Sequence, residues 1–85
     1  MAVTSLDRSR IRDLMGEVLA ARGTTLPADE STELRSIGFR SLDFSELALR
    51  VEDETGTELN FDAPGLRSIA TVGDVLDFLQ DLQAA

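Results

Sequence analysis

The hydrophobic positions of this chain repeat with helical spacing in three stretches. In the first stretch, apolar residues fall at positions 11, 14, 15, 18 and 19, which places them on one face of a helix. We expect this helix to begin near Thr4 or Ser5, where a hydroxyl can cap free amides, with Asp7 in its first turn. Gly23 is the predicted end of the helix.

Two further helices follow from the same spacing. The second is predicted from about Ser41 to Thr55 and ends at Gly56, with an inward stripe of Phe44, Leu47, Ala48 and Val51. Thr71, followed three residues later by Asp74, resembles a capping box and predicts the start of the last helix. That helix reaches about Gln83, and its stripe is Val72, Val75, Leu76, Leu79 and Leu82.

The segments between the helices are irregular. Residues 24–38 are too many and too polar for a tight turn, so we expect a long ordered loop. We expect the apolar residues of this loop, and Phe39 directly after it, to pack against the bundle, each stabilising the fold by about 1.5–3 kcal/mol where burial is complete. The loop residues are Leu26, Leu34 and Ile37. Pro64-Gly65 leaves room only for a short helical turn or two around residues 63–69.

The predicted fold is therefore all-α. It is a bundle of three main helices plus one short helix, with a long loop between helices one and two. At 85 residues the chain has material for one core, so residues 1–85 are expected to form a single domain.

The composition excludes several functions. The chain has no cysteine and no histidine, which removes Ser–His, Cys–His and zinc–histidine chemistry and makes an enzyme improbable. No calcium-binding run of acidic residues is present, so no metal site is expected. The chain has no signal-peptide pattern and no membrane-length apolar run, and we expect a cytoplasmic protein without a membrane partner.

The charge is unevenly distributed. The formal net charge of −8 argues against a nucleic-acid partner. Residues 1–40 hold equal numbers of acids and arginines, whereas residues 41–62 hold seven acids against Arg50 alone. These acids either attract basic partners or keep a small domain soluble. Leu42 and Leu49 lie off the inward stripe, and Leu42 is either an exposed contact or tucked under the preceding loop.

The start of the second predicted helix reads Gly38-Phe39-Arg40-Ser41-Leu42-Asp43-Phe44-Ser45-Glu46-Leu47. This run resembles the modification site of acyl carrier proteins, where Gly-x-Asp-Ser-Leu opens the second helix. The resemblance covers nearly the whole chain. The later runs that carry it are Val51-Glu-Asp-Glu-Thr-Gly56 and Ile69-Ala-Thr-Val-Gly-Asp74.

The resemblance implies a carrier without catalytic activity. A phosphopantetheinyl transferase would move 4′-phosphopantetheine from coenzyme A to Ser41, supplying the base and the metal itself. The arm would then hold an acyl group as a thioester, loaded by an acyltransferase and used by a ketosynthase or other acyl-processing enzymes with basic patches. We expect the carrier to be a monomer. The residues expected to recognise partners are Arg40, Leu42, Asp43, Glu46, Glu52, Asp53, Glu54, Glu58 and Asp62.

Arg40 departs from the family pattern, which has Asp before the modified serine. We interpret Arg40 as pairing with the phosphodiester or as selecting a dedicated transferase and partner set. This favours a specialised pathway such as polyketide synthesis over housekeeping fatty-acid synthesis. Two alternatives remain. One is a peptidyl or aminoacyl carrier, although those proteins usually show Gly-Gly-x-Ser; the other is an unmodified acidic adaptor in which Ser41 is only a helix N-cap.

Overall fold

The structure is a computed structural model, and it describes residues 6–56, 58–59 and 68–84. These residues form three α-helices: α1 over Arg8–Ala20, α2 over Ser41–Thr55 and α3 over Val72–Ala84. A 3₁₀ helix over Leu34–Ile37 lies in the long connection between α1 and α2. The predicted three-helix bundle with a long loop is confirmed. The short helix expected around residues 63–69 falls almost entirely outside the described residues.

The start of α1 differs from the prediction. Asp7 is the N-cap residue, and its side chain accepts a hydrogen bond from the Arg10 amide at 2.8 Å. The prediction that Thr4 or Ser5 caps the helix was wrong, because Asp7 itself occupies that position. After Ala20 the chain turns away at Gly23, whose positive φ of 79° suits a residue without a side chain.

The other two helices have the predicted bounds. α2 ends at Gly56, which has a φ of 71° and donates its amide to the Glu52 carbonyl at 2.8 Å. At the start of α3, the Asp74 amide donates to Thr71 Oγ1 at 3.2 Å, and the Thr71 amide donates to Asp74 Oδ2 at 3.0 Å. The predicted capping box is therefore present in both directions.

α1 packs against both α2 and α3, and the core lies between them. Its fully buried side chains come from the predicted stripes: Ile11, Met15, Val18, Leu19, Leu47, Val51, Val72, Val75, Leu76 and Leu79. The rings of Phe44 on α2 and Phe78 on α3 meet edge to face, with centroids 5.7 Å apart. In the described part of the chain, no helix is long and apolar enough to span a bilayer.

The long loop is fixed at both ends of its course. Phe39 is buried in the core, and Leu26, Leu34 and Ile37 pack against the core while partly buried, as predicted. Backbone hydrogen bonds also join the loop to the start of α3. They run from the Leu34 amide to the Ala70 carbonyl (2.9 Å), from Val72 to Thr32 (3.0 Å) and from Gly73 to Glu30 (2.8 Å).

Arg8 connects three parts of the fold. It bonds Glu30 of the loop at 2.5 Å and Asp77 of α3 at 2.6 Å. The hydrogen bond to Glu30 is the main cause of a raised pKa of the Arg8 guanidinium, and the bond to Asp77 adds to it. The hydrogen bond from Arg8 in turn lowers the pKa of Glu30. The loop therefore holds a defined position against both α1 and α3.

Candidate functional site

Ser41 is the first residue of α2, and it is exposed. The N-cap position belongs to Arg40, whose backbone is extended with a φ of −117° and a ψ of 179°. The Ser41 hydroxyl makes no hydrogen bond to the described residues. The alternative in which Ser41 serves only as the helix N-cap is therefore not supported, and its hydroxyl is open to solvent and to a partner.

Asp43, the third residue of α2, supplies one half of a capping box. A guanidinium group has no hydrogen-bond acceptor, but Asp43 Oδ2 accepts a hydrogen bond from the Arg40 amide at 2.8 Å. The same oxygen accepts a hydrogen bond from Arg22 Nη1. Asp43 is only 4% exposed. The expectation that Asp43 meets partners is therefore corrected, because its carboxylate is turned inward and holds the start of α2.

Arg22 and Gly38 complete this support. Arg22 follows α1 and also donates to the Gly38 carbonyl at 2.8 Å. Gly38 has a φ of 70°, which reverses the chain between the 3₁₀ helix and α2. Phe39 is buried next to it, and its amide donates to the Leu34 carbonyl at 3.0 Å. Ser41 is thus presented on a backbone that is fixed from both sides.

A cavity of about 500 Å³ opens beside Ser41. Its apolar walls include Leu34, Phe39, Phe44 and Ile69, which come from the loop, from α2 and from the segment before α3. Arg35, Arg40 and Ser41 lie on its polar side, together with Glu33. The volume falls in the range of small-molecule sites, so an apolar group attached near Ser41 would find a partly enclosed surface here.

The outer face of α2 carries two exposed leucines. Leu42 is 80% exposed and Leu49 is 60% exposed. Of the two positions considered for Leu42, the exposed one is confirmed. Because the two residues are seven apart, they lie on the same side of α2, away from the buried stripe. They form the apolar part of a surface that begins directly beside Ser41.

The acidic residues of α2 divide into paired and unpaired groups. Glu46 bonds Arg50 at 3.3 Å and Glu54 bonds Arg10 at 2.7 Å, and such exposed pairs contribute about 0–1 kcal/mol each. Glu52 is half-buried and accepts a hydrogen bond from the Leu59 amide at 2.6 Å.

Asp53 and Glu58 are exposed without an ion pair to a described residue. Asp62 lies outside the described residues. The negative field of α2 is therefore weaker than its number of acids suggests, and it is concentrated toward the C-terminal end.

Within the described residues, no base is hydrogen-bonded to the Ser41 hydroxyl. The whole chain lacks histidine and cysteine, and the carboxylate of Asp43 already has two donors. Within residues 6–56, 58–59 and 68–84, no group of three or more acidic, His or Cys side chains is gathered as a metal site would require. Ser41 therefore offers an exposed hydroxyl to which another protein could attach a group.

Three features of the site were missed from the sequence. The role of Asp43 had a local signal, because an acidic residue at the third helical position commonly caps the first turn. The contact between Arg22 and Asp43 spans 21 residues and has no such signal. Arg35 was not predicted as a site residue either, because its place at the cavity depends on the 3₁₀ helix, which the sequence analysis did not predict.

Comparisons with known proteins agree with this geometry. A family model described as a phosphopantetheine attachment site matches residues 9–79. An acyl carrier protein of Saccharopolyspora erythraea is 37% identical over 83 residues, covering 93% of this chain and 84% of the relative. The crystal structure of an acyl carrier protein from Thermotoga maritima superposes with a TM-score of 0.68 over 91% of each chain. The two sequences are 24% identical, so this similarity is evidence for the fold alone.

Proposed function

This chain belongs to the family of acyl carrier proteins with a phosphopantetheine attachment domain, and on that basis we propose that Ser41 is the residue that receives the arm. The chain is a carrier and not a catalyst, and its cofactor is covalent 4′-phosphopantetheine. The observation that carries the proposal is the exposed Ser41 hydroxyl, unbonded within the described residues, at the start of α2 beside the cavity.

Family membership implies an attachment reaction, which we assign to Ser41. Ser41 Oγ forms a bond to the phosphorus next to the pantetheine of coenzyme A, the pyrophosphate bond breaks, and the nucleotide part leaves. The proton of the hydroxyl passes to a base of the phosphopantetheinyl transferase, because this chain has no histidine and Asp43 is buried in its cap. The new phosphodiester lies at a helix N-terminus, where free amides favour negative charge.

Once attached, the arm supplies a terminal thiol that holds an acyl group as a thioester. The chain's own contribution is to present Ser41 and to offer a surface for the enzymes that load and use the acyl group. The proposed partner surface is Arg40 and Leu42 near Ser41, with Glu46, Glu52, Asp53, Glu54, Glu58 and Asp62 beyond them. Asp43 is excluded from it because it is buried.

For the pathway, we propose that the carrier serves polyketide-type biosynthesis, with extender units as cargo, ahead of fatty-acid synthesis. The support is Arg40, which is exposed beside Ser41 where the family usually has an acidic residue. A transferase and loading enzyme that accept this cation would form a dedicated partner set. We propose that these partners meet the carrier in the cytoplasm.

Intact-mass spectrometry tests the attachment residue. The chain is incubated with coenzyme A, Mg²⁺ and a promiscuous phosphopantetheinyl transferase, and a gain of one phosphopantetheine is expected. Ser41→Ala should abolish the gain. Ser45→Ala is the matched control, because Ser45 is also exposed and also lines the cavity, and this variant should be modified normally.

A gain that persists in Ser41→Ala, or no gain in the unchanged chain, would refute the proposal. If the arm is attached, the same measurement with candidate acyl donors and their loading enzymes identifies the cargo by its mass.

The acidic partner surface predicts that salt slows transfer. Exposed charges are screened beyond about 8 Å at physiological ionic strength, so the rate with a basic partner should fall as salt is raised. Asp53→Asn should weaken this dependence. Asp81→Asn, on the exposed side of α3, is the control with the same change in charge and should leave the dependence intact. Equal effects of the two variants would exclude a specific role for α2.

A further inference from the structure

The arginines of this chain differ in their surroundings. Five of those described have a carboxylate oxygen within 4.0 Å: Arg8, Arg10, Arg12, Arg22 and Arg50. The guanidinium groups of Arg35 and Arg40 make no ion pair or hydrogen bond to a described residue. Both residues are exposed, and both line the cavity that contains Ser41.

This placement is notable in a chain with twice as many acidic as basic residues. Arg35 comes from the 3₁₀ helix, and Arg40 comes from the N-cap of α2, so two separate elements bring to the same opening a cation without a described ion-pair partner. Glu33 also lines the cavity, yet its carboxylate is not within 4.0 Å of either guanidinium. Among the described residues that line the cavity, two arginines outnumber the single acid, which makes this lining locally positive in an acidic protein.

We propose that Arg35 and Arg40 form an anion clamp for the phosphodiester that joins the arm to Ser41. This inference rests on the proposed function, since it requires the arm to be attached there. A phosphodiester has two non-bridging oxygens that share one negative charge, and the guanidinium fork matches such oxygens in geometry. The clamp fixes the first atoms of the arm at the mouth of the cavity, so that the flexible remainder leaves the protein in a restricted direction.

The test compares apo and holo forms of the chain and of the variants Arg35→Gln and Arg40→Gln. The holo state of every sample is first verified by intact mass. The arginine side-chain Nε–Hε signals in ¹H–¹⁵N spectra report the contact directly, and those of Arg35 and Arg40 are expected to shift on attachment of the arm. The signal of Arg50, which pairs with Glu17 and Glu46, is the internal control and should not move.

A second measurement is the melting temperature. Attachment should raise it by roughly 2–4 °C in the unchanged chain, as expected for one exposed charged contact. This rise should be lost in the double variant Arg35→Gln/Arg40→Gln. The apo form of this variant should have the melting temperature of the unchanged apo protein, because neither guanidinium group has a described partner. Arg→Lys at both positions should restore part of the rise, since lysine keeps the charge but not the fork.

The outcomes are distinct. Shifted Arg35 and Arg40 signals, with a rise that the variants lose, support the clamp. Signals that do not move in a chain of verified holo mass, with the same rise in every variant, overturn it while the carrier function stands. The clamp is also overturned if the variants are modified more slowly while the Arg35 and Arg40 signals of the unchanged chain do not move on attachment. That result would assign the arginines to recognition by the transferase. A chain that gains no mass refutes the attachment and the clamp together.

Discussion

Replacing Asp43 tests the support beneath Ser41. Asp43→Ala removes the acceptor for the Arg40 amide, and loss of such a cap costs about 0.5–2 kcal/mol. It also removes the contact with Arg22, whose side chain is 47% exposed, so this charged hydrogen bond is screened and contributes less than a buried one. We expect a loss of about 2 kcal/mol in the free energy of unfolding, which corresponds to roughly 8–16 °C in melting temperature.

Urea unfolding followed by far-ultraviolet circular dichroism is the suitable assay, since the chain has no Trp or Tyr to report by fluorescence. Asp43→Asn keeps one acceptor oxygen and should lose about half as much. Asp53→Ala makes the same change in charge on the exposed side of α2 and should stay within about 0.5 kcal/mol of the unchanged chain. If Asp43→Ala were no more destabilised than Asp53→Ala, the inward role of Asp43 would be refuted.

Two further predictions concern single positions. Gly38→Ala should lose about 1–2 kcal/mol because of its positive φ, whereas Gly16→Ala, inside α1 with open space for a Cβ, should gain about 0.5–1 kcal/mol; equal thermal shifts at both positions would contradict this. Hydrogen bonds from the Ala70 and Thr71 amides lower the pKa of Asp74. Its stabilisation is therefore present above the ordinary Asp pKa and is lost as the pH falls through the lower folded pKa. Asp74→Asn should flatten the decline of unfolding free energy below about pH 4, and an unchanged slope would argue against the cap.

The helices were predictable because their causes are local. The bounds of α2, and the paired bonds of Thr71 and Asp74, follow from residues three or four apart, which the sequence displays directly. The start of α1 failed for a similar local reason. Several polar residues precede the apolar stripe, and the spacing alone does not decide which of them is the cap.

The candidate site was predictable only in its central residue. Ser41 as the attachment residue follows from the resemblance, whereas the helical pattern places Leu42 off the inward stripe and leaves its exposure open. The burial of Asp43 depends on Arg22, which arrives from the end of α1, and the cavity depends on where the loop lies against α3. Contacts between residues far apart in the chain leave no periodic trace, so the structure was needed to distinguish the buried Asp43 from the exposed acids of α2.

The three backbone bonds between the loop and the start of α3 have a mechanical consequence. They connect the loop to the start of α3, and we expect residues 30–34 and 70–73 to move together. Amide protons of Leu34, Val72 and Gly73 should accordingly exchange slowly with solvent, as those of a sheet would. When a partner binds α2 next to Ser41, the loop and the start of α3 should keep their relative positions. Any widening of the cavity would then come from displacement of α2.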